Sequence, residues 1–181
     1  MRRGALTYNL TRCTPCAMWL LKVASVRIAT SLPASALGET HVVTTMRGLG
    51  VEIAEQIVKF CIAHGWNGSS WRLCVARDGT QLRDAESIYV DGFALYGLAE
   101  YARATDDALA RSWLQRTAAS VMETLKLPHD SIPHFPYPVP PGMLVHGIPM
   151  IFSLCFLDAA DQIPEMDCLQ IARSLSDEVF D

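Results

Sequence analysis

Residues 89–107 read YVDGFALYGLAEYARATDD. A helix on the surface of a globular domain carries a single apolar stripe, whereas Tyr89, Val90, Phe93, Ala94, Leu95, Tyr96, Leu98, Ala99, Tyr101 and Ala102 run all the way round the turn. Such a segment must be walled in on nearly every side. The stretch therefore predicts a buried helix from about Glu86 to Arg103. Asp91 and Glu100 lie on it, and buried charge needs partners, for which Arg103 and Arg83 are the nearest candidates in sequence.

The segments on either side set this helix in a rhythm. Thr105 or Asp106 is placed to cap a following helix over 107–126. Its Leu109, Ala110, Trp113, Leu114, Ala118, Val121 and Leu125 make one stripe opposite Arg111, Gln115, Arg116 and Glu123. A proline-rich loop follows, and then HGIPMIFSLCFLDAA, residues 146–160, is again apolar on most faces. Leu169, Ala172, Leu175 and Val179 then mark an amphipathic helix over 166–180. Inner, outer, inner, outer predicts an all-α fold in which helical hairpins stack side by side as two concentric layers.

Upstream, WRLCVARDGTQLRD (71–84) alternates apolar and polar residues around Asp78–Gly79 and predicts a short β-excursion. Val51, Ala54, Ile57, Val58 and Cys61 predict a half-exposed helix from Met46, ended by His64, Gly65 and Gly68. Residues 33–45 read as a loop. The apolar run 17–32 is interrupted by Lys22 and Arg27, which argues against a signal peptide or membrane span and for a cytoplasmic helix. Residues 1–45 receive no domain assignment; 46–181 form the domain.

Composition narrows the function classes. The chain has 181 residues, half of them hydrophobic, enough for one core. Its formal charge is −4, with 15 basic and 19 acidic residues intermixed, so no basic stripe offers itself to nucleic acid. Of six cysteines, four have apolar neighbours and read as reduced, buried thiols, while Cys13 and Cys16 form a CxxC without the second pair zinc requires or the strand–helix context of a redox motif. No metal or cofactor is expected.

The succession RDGTQLRDAESIYVDGFALYGLAEYARATDD, an outer helix, a proline-rich loop and HGIPMIFSLCFLDAA resembles the N-acylglucosamine 2-epimerase family, which includes mannose isomerases and cellobiose 2-epimerases. Residues 70–165 carry the resemblance, 46–69 carry it weakly and 1–45 not at all. No single motif is specific; order and spacing are. The resemblance implies an α/α toroid of about six helical hairpins, of which this chain supplies about half the ring. It also implies a carbohydrate substrate in the central cavity and proton transfer at carbon 2 of an open-chain sugar, with histidines as base and acid and no redox cofactor.

Four residues follow from it. Tyr89 matches an aromatic at the cavity edge, where a phenol can hydrogen-bond a sugar hydroxyl; plain packing is the other reading, and the stronger one for Phe93, a turn further on. His146 opens the second inner helix and is the candidate catalytic group, with substrate contact or helix capping as further readings. Cellobiose epimerases carry a histidine near the position of Met150, so this chain departs from them there, and Met150 becomes a candidate substrate contact. His129 and His134 read as solvated loop histidines. Asp91 and Glu100 share one helix and do not flank a cleft as a glycosidase pair must. A non-catalytic helical-hairpin module that binds a partner protein is the alternative function. A half-ring would also expose an apolar edge suited to association, including homodimerisation.

Overall fold

The computed structural model describes residues 14–15 and 41–180, with side chains from residue 48 onward apart from Leu49. The expected helix at 17–32 lies outside the described residues. Among the described residues there are five α-helices: α1 (His41–His64), α2 (Ile88–Thr105), α3 (Ala108–Leu125), α4 (Gly147–Ala159) and α5 (Cys168–Phe180). Three short strands, β1 (Thr14–Pro15), β2 (Cys74–Val75) and β3 (Gln81–Arg83), form an antiparallel sheet in the order β1-β2-β3. Helix α1 begins before Met46, so residues 41–45 are helical and not the loop that their Thr content suggested. No helix among the described residues is long and apolar enough to cross a membrane.

The layer order follows the apolar pattern. Twelve residues of α2 are buried against five of α3, and six of α4 against two of α5, which makes α2 and α4 the inner pair. Where α2 and α4 cross, Gly92 lets the backbones close: a Cβ there would sit 3.3 Å from the Phe152 ring, and the Cys155 thiol donates to the Gly92 carbonyl at 3.3 Å. Helix α1 packs Ala54, Ile57, Val58 and Cys61 into the same core. Trp66, Trp71 and Trp113 meet with centroids 5.5 to 5.8 Å apart, and Trp71 Nε1 donates to Thr117 Oγ1 at 3.0 Å, joining the 66–71 segment to α3.

The turn between α2 and α3 corrects one expectation. Asp106 takes a left-handed conformation (φ 58°) and closes α2, its N–H donating to Ala102 O at 2.8 Å. Asp107 is the N-cap of α3 and accepts from the N–H groups of Leu109 and Ala110 at 2.7 and 3.2 Å. The β-excursion forms as expected, with Gly79 at φ 88° and Asp78 Oδ1 accepting from Thr80 N at 2.9 Å. Burial pushes the Cys155 thiol up to about 12 and that of Cys168 to about 11, so both stay protonated. Cys74 departs from the expectation of reduced thiols. It is disulfide-bonded, on strand β2, which pairs with Thr14–Pro15.

Candidate functional site

Helix α2 is closed on every side but one. Tyr89, Phe93 and Tyr96 are half-buried and recur one turn apart, so they form a single open stripe on a helix that is otherwise enclosed up to its last turn. The stripe begins where the 126–146 loop crosses the start of α2: Ile88 N donates to Pro133 O at 2.8 Å and Phe135 N to Glu86 O at 3.0 Å. This short ladder brings His134 against Tyr89.

Two residues meet at the Tyr89 hydroxyl. His134 Nε2 lies 3.0 Å from it, with the two rings edge to face at 5.0 Å. His134 Nδ1 lies 2.9 Å from the carbonyl of Tyr137. A carbonyl only accepts, so Nδ1 carries the proton, and in the neutral ring Nε2 must accept from Tyr89. Burial raises the Tyr89 phenol above its ordinary range, which keeps the hydroxyl protonated and donating. Its oxygen lone pairs are then left for a ligand hydroxyl. The second is Gly147, at the start of α4: a Cβ there would come within 2.9 Å of the Tyr89 oxygen, so a larger residue would make the phenol shift.

The four residues singled out in the sequence divide between two helices. Tyr89 and Phe93 stand a turn apart on α2, and His146 and Met150 a turn apart at the start of α4, where Met150 N donates to His146 O at 3.2 Å. The Tyr89 hydroxyl at Gly147 joins the two pairs. His146 is exposed and occupies the N-cap position, but its side chain makes no capping hydrogen bond and is left open to solvent. Met150 is also exposed.

Two histidines depart from their reading as solvated loop residues. His134 is held as described. His129 Nδ1 accepts from Val145 N at 2.9 Å and its Nε2 lies 3.3 Å from Glu178 of α5, which fixes the far end of the loop. The acids of α2 divide as well. Glu100 pairs with Arg103, which also donates to Asp161 Oδ1 at 2.8 Å and to Asp158 O at 2.6 Å, tying α2 to the end of α4. Asp91 pairs with neither arginine. It accepts from Ser70 Oγ at 2.6 Å and Trp71 N at 2.9 Å, and desolvation raises its carboxyl to about 6 against these hydrogen bonds.

The fold has a counterpart among solved structures. Cellobiose 2-epimerase from Spirochaeta thermophila DSM 6192 superposes with a TM-score of 0.66 at 16% identity, over 92% of this chain and 43% of that one. The chain has part of an α/α toroid. It spans less than half the length of that epimerase. No protein-family model matches the sequence, and no curated protein matches it.

Proposed function

We propose that the open face of α2 and the start of α4 form part of the sugar-binding wall of an epimerase or aldose–ketose isomerase that transfers a proton at carbon 2 of an open-chain sugar. The observation that carries this reading is the Tyr89 hydroxyl, held by His134 and seated on Gly147 with its acceptor side uncommitted. A sugar hydroxyl donates to it, and the Phe93 ring offers an apolar surface to the C–H face of the sugar. Met150 borders the same wall, and His146 is the proton-handling group. In the reaction, a base takes the carbon-2 proton, the C–H electron pair moves toward the carbonyl, and an enediol results. Protonation of carbon 2 from the opposite face gives the epimer; protonation of carbon 1 gives the ketose. A neutral imidazole is suited to both taking and returning a proton near neutrality.

Calorimetric titration with cellobiose, mannose and N-acetylglucosamine tests the binding part. Tyr89→Phe keeps the ring and removes the acceptor, and is expected to weaken binding of the preferred sugar about tenfold. Equal affinity of Tyr89→Phe and the parent chain, or no binding of any of the three sugars, would overturn the reading. A second reading has its own observation: Met150, Leu154 and Leu157 are exposed at helical spacing on α4, a face that suits a protein partner or a second copy. Binding of sugar at Tyr89 separates the two.

A further inference from the structure

Two residues along α2 from Tyr89 the helix has turned by about 200°, so Asp91 faces away from the open stripe. It looks into a cavity of about 370 Å³ between the 67–70 turn, the start of α2, the end of α3 and the loop at 131–133. Asn67, Ser70, Ser87, Asp91, Ser120 and Thr124 supply most of its polar wall, and no lysine, arginine or histidine lines it. The volume falls in the range of small-molecule sites, about 300–1,000 Å³.

Two side chains of this wall have capacity left over. The Asp91 carboxylate, 4% exposed, accepts from Ser70 and Trp71. A carboxylate offers about four lone-pair sites, so it can accept again. Ser87 is 5% exposed and stands at the N-cap of α2, yet its hydroxyl does not cap the helix and has no hydrogen-bond partner among the described residues. No fully buried side-chain nitrogen or oxygen among those residues lacks a partner. The Ser87 hydroxyl is therefore one that the cavity reaches.

Charge selects the ligand class. The cavity's one ionisable group is an acid, which repels anions. That acid is already met by the Ser70 hydroxyl, the Trp71 N–H and the N-terminal end of α2, so it requires no counter-cation. What remains is a carboxylate acceptor beside a hydroxyl that can both donate and accept. A neutral molecule bearing several hydroxyls satisfies both at once. We propose that this cavity is a second binding site, for a neutral polyol such as a sugar or sugar alcohol, with Asp91 and Ser87 as its anchors. The site is independent of the one on the Tyr89 face.

The probe is D-glucitol, which has no carbonyl and cannot undergo proton transfer at carbon 2. Titrated into the labelled 181-residue chain and followed by amide NMR, it is expected to shift Ser70, Ser87, Asp91 and Ser120 along saturating curves. Asp91→Asn and Ser87→Val each weaken the interaction about tenfold, and Tyr89→Phe leaves it unchanged. Should Ser87→Val fail to give a cooperative melt, Ser87→Ala takes its place. Shifts that stay linear with concentration, that cluster on Tyr89 and Phe93 instead, or that survive both substitutions would overturn the proposal. Because Tyr89→Phe acts only on the other face, failure here and failure of the epimerase reading give different results.

Discussion

Helices α2 and α4 both belong to the inner layer, yet they meet their surroundings differently. Helix α2 has α1, α3 and α4 packed against it, and before its last turn only the Tyr89, Phe93 and Tyr96 stripe stays open. Helix α4 packs on α2 and α5 and, beyond Met150 at its start, leaves Leu154 and Leu157 at 62% and 54% exposure. The same kind of sequence, apolar on most faces, thus serves two situations. In α2 the open stripe is amphipathic and carries a positioned phenol, as suits a ligand wall. In α4 it is aliphatic, as suits a face where another helix packs. What an open stripe is made of separates a site from an edge.

The same substitution at one leucine of each helix tests this comparison most sharply. Leu95 is fully buried on α2, so Leu95→Asp places an unpaired carboxylate where no water reaches and should cost more than about 3 kcal/mol. Leu154→Asp on the open side of α4 should cost less than about 1 kcal/mol, and should lower any concentration-dependent association seen by sedimentation. Similar losses in denaturant midpoints for the two variants would remove the distinction between enclosed and edge helices.

A smaller effect concerns Asp91. Its carboxyl is raised from 3.8 to about 6 in the folded chain. A raised acid favours the folded state while protonated, so this stability is fully present below pH 3.8 and is lost as pH rises to about 6. Asp91→Asn keeps an oxygen for Trp71 N and can reverse the bond to Ser70. It should abolish that pH dependence and gain on the order of 2 kcal/mol above pH 7. Chemical unfolding at pH 4 and pH 8 checks this; an identical pH profile in parent and variant would contradict it. Smallest of all should be Arg111→Asp on exposed α3, which removes a surface pair with Asp106, itself 92% exposed and worth under about 1 kcal/mol. A shift of melting temperature as large as that of Leu95→Asp would mean that α3 is not an outer helix.

The helices were legible because burial is averaged over a whole turn pattern: the spread of apolar residues in 89–102 and the single stripe of 109–125 survive any local detail. Features decided by one or two backbone torsions were not. Asp106 and Asp107 have the same capping chemistry, and only the left-handed turn at Asp106 assigns the cap to Asp107. His134 looked like a loop residue since its partner Tyr89 lies 45 positions upstream and the ladder that joins them has no periodic signature. Its neighbours in HFPYPVP show a rigid loop, but not where that loop lands. Ser87 and Asp91 were equally opaque, because a cavity between four segments leaves no mark on any one of them. The disulfide of Cys74 escaped notice for a related reason: its apolar neighbours describe one face of a strand, and local pattern says nothing of a cross-link.

The most direct test of the account is a single NMR titration of cellobiose in heavy water. The Met150 methyl and Tyr89 ring signals report binding, and the carbon-2 proton signal of the sugar reports exchange. If the Tyr89 face is a sugar wall, in a chain that spans 43% of the similar epimerase, the protein signals are expected to shift and saturate while the carbon-2 proton keeps its intensity, since one wall binds but does not surround the reacting carbon. Loss of the carbon-2 proton that is abolished by His146→Ala would show a complete active site and contradict the partial-ring account; unmoved Met150 and Tyr89 signals would contradict the sugar wall itself.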